Sequence, residues 1–420
     1  MQEYSELELF NCATLWLHHD KNRLKDAAYV LKRIRFCLIS ALDLQEYIQE
    51  ISIMKTDSQC NKYLQDALSY HSQLHAQPIL LSKHAQIRSN SANMLILGGR
   101  TTNNYVCRDM WVADEPGSCW RKLGEMPIPL YNHGIVVVNN FVFVLGGQNR
   151  FDATGNHPSN EVFRFDPRNS TWLQVAGMLE SRTRFYVDAI SDHIISVAGG
   201  TLLGHLTNTV EEYKPEENKW ELVASFPAAV ADHTGAVHKG ILYISGGYTA
   251  GKVVKYLYSY LPRLQRWIVN QSMSFSRCDH GMATIGDKIF CVGGRTLNSS
   301  DEWFQVNETE YYSPAADQWT TLKVSSFDCS QFSISVHSSK LYITGGGSLR
   351  QMTKKDSVFI YDPEAKRWGR AGALPLPLMD HTACMVKLSG EVLHKLKNEE
   401  CAHPLLGTKK SSTLNLYVTD

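Results

Sequence analysis

Short runs of apolar residues, most of them four or five residues long, alternate with turns rich in glycine and polar residues over most of the chain. One complete unit consists of Gly134–Val138, Phe141–Leu145 followed by Gly146-Gly147, Glu161–Phe165 and Trp172-Leu173. Apolar runs of this length, bounded by turn residues, are typical of β-strands. The unit therefore predicts one antiparallel sheet of four strands.

The unit recurs six times, and one tryptophan marks each copy. The tryptophans lie 47 to 52 residues apart, and each follows a pair of adjacent glycines. They are Trp120, Trp172, Trp220, Trp267, Trp319 and Trp368. The glycine pairs are Gly98-Gly99, Gly146-Gly147, Gly199-Gly200, Gly246-Gly247, Gly293-Gly294 and Gly345-Gly346. A period of about fifty residues is typical of repeated sheets arranged in a ring, so we expect a β-propeller with six blades.

Two further positions keep a fixed distance from the tryptophans. An aromatic residue precedes five of them by seven places, and a proline follows it two places later, as in Phe165, Tyr213, Tyr260, Tyr312 and Tyr361. Histidine or phenylalanine follows every tryptophan by thirteen places, at His133, Phe185, His233, His280, Phe332 and His381. Proline ends a strand and starts a turn. Because histidine and phenylalanine share one position, we interpret that position as part of the packing.

The first 75 residues show the period of α-helices, and Ser5 with Glu8 forms a capping-box signature. The four predicted helices are Glu6–His19, Arg23–Lys32, Ala41–Glu50 and Ser58–Gln73. Residues 76–91 mix proline, serine and asparagine, and we expect them to form a linker into the repeats.

The chain has 42 basic and 42 acidic residues, so it has no excess positive charge that would attract nucleic acid or a membrane surface. No apolar run reaches the roughly eighteen residues of a membrane span. The ten cysteines show no disulfide or metal spacing, and no leader sequence precedes them. We therefore expect reduced thiols and a cytoplasmic location, with the nucleus as a second compartment.

The segment Gly246–Lys252 matches a phosphate-binding loop up to its lysine. Val253 stands where a hydroxyl residue belongs, and a strand pattern follows it, so no helix N-terminus is available for phosphate. We therefore assign the glycines to the repeat and expect no cofactor.

Three adjacent pairs, Asp232-His233, Asp279-His280 and Asp380-His381, resemble catalytic or metal-binding pairs. Phenylalanine fills the histidine position in two other copies, and adjacent residues of a strand point in opposite directions. The histidines are therefore predicted to be structural. We expect no metal, no catalytic residue and no enzymatic activity.

The copies differ most in the loop that follows the glycines. From the second glycine to the aromatic residue, repeats two and five have 18 residues, whereas repeats three, four and six have 13, 13 and 15. Repeats two and five lie three blades apart, hence on opposite sides of the ring. In an antiparallel blade this loop lies on the same face as the connection to the next blade, which predicts one binding face.

That face gains side chains that have no role in the repeat. The long loops contribute Arg150, Phe151, Trp303 and Phe304; Arg100, Gln148, Thr201, Tyr248 and Arg295 directly follow the glycines; Arg182 and Arg277 precede the thirteenth position by three places. Arginines with interspersed aromatic residues suit an acidic or phosphorylated segment of a target protein. The alternative is that the arginines pair with carboxylates of the loops.

The glycine pair, the aromatic residue and the tryptophan together match the kelch motif, and six copies imply a six-bladed kelch β-propeller over residues 92–388. The segment Glu6–His71, with Trp16, Arg23 and Tyr70-His71, resembles the later part of a BACK domain. The chain thus resembles the BTB-BACK-kelch family. The implied fold is mainly β, with a partial BACK domain in residues 1–75 ahead of the propeller.

In such propellers the C-terminal strand commonly closes the ring, which assigns residues 381–388 to the innermost strand of the first blade. Residues 389–420 are then expected to be a mostly exposed tail. Leu414, Leu416 and Val418 alternate within it and could add an edge strand.

The resemblance implies a substrate-recognition subunit of a cullin-RING ubiquitin ligase. In this family the propeller holds the target protein, and the BTB domain with the first BACK helices binds the cullin. No BTB segment is recognised in this sequence, so we expect cullin binding only in a form that carries one. Family arginines at the position of Arg182 and Arg277 often contact bound peptides, which implies that role for both. Kelch propellers also bind actin, so a cytoskeletal scaffold is the alternative function.

Overall fold

Each repeat folds into one antiparallel sheet of four strands, which confirms the predicted six-bladed β-propeller. The computed structural model describes residues 4–80, 82–89, 91–115, 118–152, 154–324, 327–397, 399 and 401–402. We number the blades by the glycine pair that each contains, and the strands of a blade from the central channel outward. None of the described helices is long and apolar enough to cross a membrane.

Most strands of the six blades have five residues. Blade 1 has Thr382–Val386, Asn93–Leu97, Asp109–Ala113 and Trp120–Glu125; blade 2 has Gly134–Val138, Phe141–Leu145, Val162–Asp166 and Thr171–Val175; blade 3 has Tyr186–Ile190, His193–Gly200, Leu206–Lys214 and Lys219–Val223. Blade 4 has Thr234–His238, Ile241–Ser245, Leu257–Leu261 and Arg266–Asn270; blade 5 has Gly281–Ile285, Lys288–Val292, Thr309–Ser313 and Gln318–Thr321; blade 6 has Ser333–His337, Lys340–Thr344, Ser357–Asp362 and Arg367–Ala373.

Blade 1 joins the two ends of the propeller sequence. Its innermost strand, Thr382–Val386, is antiparallel to Asn93–Leu97, with Asn93 opposite Val386 and Leu97 opposite Thr382. The innermost strands of neighbouring blades contact one another all the way around the channel. Because the last strand of the propeller sequence belongs to blade 1, it joins the first and last repeats and closes the ring.

The tryptophans hold each blade to the one before it. In five blades the indole Nε1 donates to a backbone carbonyl of the preceding blade; Trp220, for example, bonds Ala176 O at 2.8 Å. The aromatic residue seven places earlier lies opposite the tryptophan on the adjacent strand, as Tyr213 does for Trp220 with ring centroids 5.2 Å apart. Ala113 takes that place in blade 1.

The glycine pairs have left-handed backbone angles because a neighbouring blade approaches them closely. A Cβ on Gly98 would lie 2.4 Å from Leu130 O. In blade 3 the assignment of Gly199-Gly200 is wrong by one residue. Ala198, with φ +51°, takes the first place, and the Gly199 amide donates to Val230 O, as the second glycine does in the other blades.

The head of the chain is helical, as the fold class predicted. Its α-helices are Glu6–His18, Ala27–Leu31, Ala41–Glu46, Ser52–Thr56 and Ser58–Ser72, and its 3₁₀ turns are Lys21–Asp26, Phe36–Leu38, Ile48–Glu50 and Lys83–Ala85. Ser5 Oγ accepts from the Glu8 amide at 3.2 Å, which forms the capping box. Two predicted helices are shorter because 3₁₀ turns take over, and such turns keep a similar spacing of buried side chains.

The head packs on blade 2 at the end of the propeller that carries the turns between first and second strands. Asn139 in such a turn donates to Pro78 O at 2.8 Å. Arg164 donates to Leu74 O and to Gln77, and its guanidinium lies 4.7 Å from the Phe141 ring centroid. The loops between second and third strands lie at the opposite end, so the head leaves them uncovered.

Among the described residues of the predicted tail, those that follow the last strand fold back on blade 1 and are partly buried. Gly390–Lys397 forms a helix, and Val392 and Leu396 are buried in the same core cluster as Met110. Cys401 lies beside Cys119, with a Cα–Cα distance of 5.6 Å. Leu414, Leu416 and Val418 lie outside the described residues.

Removing the Trp220 indole should destabilise the propeller. Trp220→Ala deletes a buried ring and its bond to the preceding blade, and we expect a loss of about 3 to 5 kcal/mol in the free energy of unfolding. Leu222→Ala is the matched control, because Leu222 lies on the same strand but is exposed. Urea unfolding measures both. Equal midpoints for the two variants would contradict this role of the tryptophan.

Candidate functional site

Six loops join the second and third strands of the blades, and they all lie at one end of the propeller. Together with the connections between blades they form a surface that we call the loop face. The loops span residues 98–108, 146–161, 201–205, 246–256, 293–308 and 345–356. Those of blades 4, 5 and 6 contain two-stranded ribbons, which pair Tyr248–Thr249 with Lys252–Val253, Arg295–Leu297 with Trp303–Gln305, and Gly347–Ser348 with Thr353–Lys354.

The ribbon of blade 4 settles the conformation of the segment that resembles a phosphate-binding loop. Tyr248 is paired with Val253, and Thr249 with Lys252. The next element is the strand Leu257–Leu261, so the glycines are followed by a ribbon and a strand and not by a helix. The lysine therefore extends from a β-ribbon, which is not the geometry of a phosphate-binding loop.

A closed ring of backbone hydrogen bonds surrounds the channel at the loop face. The residue two places before each innermost strand has a left-handed φ, and its amide donates to the carbonyl of the equivalent residue in the preceding blade, at 2.9 to 3.2 Å. We call this the inner hydrogen-bond ring, and its members are Asn132, Arg184, Asp232, Asp279, Gln331 and Asp380. It fixes where their side chains enter the channel mouth.

Three arginine–aspartate pairs lie at that mouth. Arg100 Nε lies 2.5 Å from Asp380 Oδ2, and Arg295 Nε lies 2.6 Å from Asp279 Oδ2. Arg184 Nε lies 2.7 Å from Asp232 Oδ1. Burial and the nearby Asp232 carboxylate raise the pKa of Asp279 to about 6, although Arg295 opposes that shift. Each guanidinium thus faces a carboxylate of the chain itself.

The long loop of blade 2 builds an aromatic cluster over blade 1. The Arg100 guanidinium lies 5.2 Å from the centroid of the Phe151 ring, which is also 6.2 Å from the Tyr131 ring. Gln148 is buried and donates to the Tyr131 hydroxyl. Its side chain therefore supports the cluster and is not exposed on the loop face. Arg150 is exposed beside Phe151.

The long loop of blade 5 builds a matching cluster over blade 4. The Arg295 guanidinium lies 4.2 Å from the centroid of the Trp303 ring, and the Tyr248 ring lies 6.2 Å from it. Trp303 and Phe304 are exposed on the ribbon of this loop. Stacking against a guanidinium favours one orientation of each aromatic ring.

Arg182 and Arg277 do not belong to the exposed surface, so their predicted contact with a bound peptide is wrong. Both side chains are fully buried. Arg182 Nη2 lies 2.7 Å from Glu211 Oε1, and Arg277 Nη2 lies 2.9 Å from Glu310 Oε1. Buried charges require such partners. The pairing alternative is therefore the one that the structure adopts, although the carboxylates lie on third strands and not in loops.

The sequence contains a signal for this pairing. We compared two positions in each blade: the third residue before the histidine or phenylalanine that precedes the innermost strand, and the second residue before the aromatic residue of the third strand. Arginine occupies the first position only in blades 3 and 5, and glutamate occupies the second position only in these same blades. In blade 2 the same two positions hold Leu130 and Phe163. The two positions therefore vary together, as positions in contact do.

Sequence reasoning also missed exposed apolar residues in the shorter loops. Each of the six loops presents at least one large apolar side chain to solvent. We call one such residue from each blade the apolar rim, which consists of Tyr105, Phe151, Leu203, Tyr256, Phe304 and Met352. A comparison of loop hydropathy between the repeats would have found it, because loops usually lack large apolar residues.

The histidines at the thirteenth position are buried between blades. His133 Nε2 lies 2.7 Å from Thr382 Oγ1, and His280 Nε2 lies 2.9 Å from Ser245 Oγ. Burial lowers the pKa of His233 to about 4 and that of His381 to about 3. Among the described residues, no group of three or more histidine, cysteine, aspartate or glutamate side chains is placed to hold a metal ion.

Known proteins resemble this chain over both of its parts. A family model described as the Attractin/LZTR1 beta-propeller matches residues 94–350, and one described as BACK, BTB And C-terminal Kelch, matches residues 1–49. Kelch-like protein 9 of Mus musculus is 40% identical over 385 residues, which are 91% of this chain and 62% of that protein.

Two further relatives and one solved structure agree with these matches. Kelch-like protein 13 of Homo sapiens is 38% identical over 91% of this chain and 59% of its own length. Kelch-like protein 36 of Rattus norvegicus is 32% identical over 95% of this chain and 66% of its own length. The structure of YjhT aligns with a TM-score of 0.51 and 15% identity over 62% of this chain and 88% of its own. The chain thus spans about three fifths of the length of the first two relatives.

The buried pair in blade 5 predicts a strong dependence between its two positions. Arg277→Leu leaves the Glu310 carboxylate buried without a cation and should cost about 3 to 5 kcal/mol. Arg277→Leu/Glu310→Phe copies the residues of blade 2 and should recover most of that loss. Urea unfolding measures both variants. A double variant as unstable as the single one would contradict this account.

The buried histidines predict a loss of stability in acid. Their pKa values are lower in the fold than the ordinary value of 6.5, so their contribution is complete above pH 6.5 and falls as the pH drops towards the folded values. His233→Phe copies the residue of blades 3 and 6 and removes one such group. The free energy of unfolding should decrease between pH 7 and pH 4 in both proteins. The decrease should be smaller in the variant than in the wild type, by up to about 3 kcal/mol. Identical pH profiles would refute the assignment.

Proposed function

The chain belongs to the kelch-like family, and from this membership we propose that it selects target proteins for a cullin-RING ubiquitin ligase by binding them at the loop face. The coarser statement, that the propeller is a protein-interaction module, follows from the family itself. Target selection is the finer step, and it depends on which surface is available to a partner.

One observation supports the loop face above other surfaces. Two aromatic clusters, around Phe151 and Trp303, stand on opposite sides of the channel, and each is built by a loop longer than its counterparts. Exposed aromatic rings held in place by a guanidinium are typical of the side chains that dominate binding energy. The head contacts the other end of the propeller, so a bound target would not collide with it.

We assign the two functions of the adaptor to different parts of the protein. The loop face holds the target, and the cullin is contacted through a BTB domain joined to the head. This division implies a binding protein without catalysis, which acts in the cytoplasm and, as a second compartment, in the nucleus. An acidic or phosphorylated target segment is the expectation from sequence, but of its supporting arginines Arg182 and Arg277 are buried, and Arg100 and Arg295 are paired with aspartates.

The proposal is tested with residues 1–420 alone and with the same residues joined to the BTB domain and first BACK helices of Kelch-like protein 9. We expect that only the joined form co-precipitates cullin and promotes ubiquitylation of proteins labelled by proximity to the propeller. Trp303→Ala/Phe304→Ala should abolish labelling of those proteins. Leu222→Ala/Val269→Ala is the matched control, because these exposed residues lie on outermost strands.

Three results would contradict the proposal in different ways. Cullin bound by residues 1–420 alone would show that the contact is not made through the BTB domain. Labelling unchanged by Trp303→Ala/Phe304→Ala would move the binding site elsewhere. Co-sedimentation with actin filaments, without ubiquitylation of any labelled protein, would establish the cytoskeletal scaffold instead.

A further inference from the structure

We propose that the loop face recognises an apolar segment of near-neutral charge, which the apolar rim contacts around the channel mouth. This inference rests on the proposed function, because it specifies the chemistry of the target that the loop face binds. It replaces the acidic segment expected from the arginines of the sequence.

The first support is the distribution of exposed apolar side chains. Among the described residues of the propeller, thirteen large apolar side chains are exposed, and nine of them lie in the loops and connections of the loop face. The remaining four lie on outermost strands or in the turn at Leu264. Large apolar residues gathered on one surface of a soluble protein mark a site of interaction.

The second support is backbone conformation in the shorter loops. Leu203 and Met352 are among the most exposed apolar residues of the propeller, and both have left-handed φ angles, +58° and +51°. This conformation disfavours residues with large side chains. The Leu203 amide donates to Asn156 O of the neighbouring long loop, so the loops of blades 2 and 3 hold one another in place. Apolar side chains in such positions contribute nothing to the core, which favours a role outside the fold.

The third support is the state of the positive charges. Arg100, Arg184 and Arg295 each have a carboxylate of the chain within 2.7 Å of the guanidinium Nε. Each of these aspartates is largely buried and neutralises its arginine, and an acidic ligand that displaced the aspartate would leave it without its cation. The Lys354 ammonium is similarly engaged, because it donates to Thr101 O and Asn104 Oδ1. The centre of the face therefore has little free positive charge to offer.

Together these features describe the occupant. The rim supplies apolar contacts from all six blades, and the paired charges at the centre present a surface without net charge. A segment with aromatic or aliphatic side chains and little net charge complements both. An acidic segment complements neither.

A random twelve-residue peptide library, displayed on phage and panned on residues 1–420, tests this inference. We expect selected peptides to be rich in aromatic and aliphatic residues, with affinities that change less than about threefold between about 50 and 500 mM NaCl. The rim variant Leu203→Asn/Phe304→Ser/Met352→Asn should weaken their binding by about tenfold. Asparagine is used at the two left-handed positions because it tolerates them.

A charge variant separates the two kinds of ligand. Arg150→Gln/Arg350→Gln removes exposed guanidinium groups of two loops and leaves the apolar rim intact. It should change the affinity of the selected peptides by less than about threefold. All the substituted side chains are exposed, so we expect unchanged thermal unfolding for both variants, and this measurement confirms that a change in affinity comes from the surface.

The possible failures are distinguishable. Selected peptides that are rich in aspartate or glutamate, bind more weakly in high salt and lose affinity in the charge variant would overturn this inference while leaving the loop face as the binding site. A selection in which no peptide depends on the loop face would count against both this inference and the proposed function.

Discussion

The closed ring of innermost strands is the constraint on which the rest of the structure depends. Six blades must meet around one channel, and the inner hydrogen-bond ring joins each blade to the next through a residue held at left-handed φ. The same close approach explains the glycine pairs, because a Cβ on Gly146 would lie 2.6 Å from Arg182 O of the next blade. Farther from the channel, the tryptophans form a second set of hydrogen bonds between neighbouring blades. Positions that form these connections therefore recur in every repeat, although the residue types at some of them differ.

This constraint leaves the loops as the place where the repeats can differ. Residues that serve the ring recur at constant spacing, whereas the loops of blades 2 and 5 are longer and carry stacked aromatic residues. The ring also determines which charges are available, since its aspartates at positions 232, 279 and 380 take the arginines that would otherwise reach into solvent. Loop length and the inner ring thus act together to produce a face with apolar edges and a neutral centre.

Much of this fold is readable from sequence because the ring imposes a strict register. The blades, the structural histidines and the family resemblance all follow from that register, and the aromatic residues of the long loops lie where it placed them. The register does not report burial, which is why Arg182 and Arg277 were predicted to be exposed. Their glutamates lie on strands about thirty residues away in sequence, and only a comparison of both positions across the repeats identifies the pairs. In blade 3 Ala198 has the left-handed φ that the first glycine of the pair has in the other blades. The spacing of the repeats does not reveal this shift, because Gly199-Gly200 lies only one residue further along the chain.

Native-state hydrogen exchange of the backbone amides tests the closed ring most directly. The account predicts that the amides of the six ring residues exchange together, and only through global unfolding, while amides in residues 146–161 and 293–308 exchange through local opening. Faster exchange at Asn132 and Asp380 than at the other four ring amides would contradict it, because those two residues lie on either side of the junction where the last strand closes the first blade.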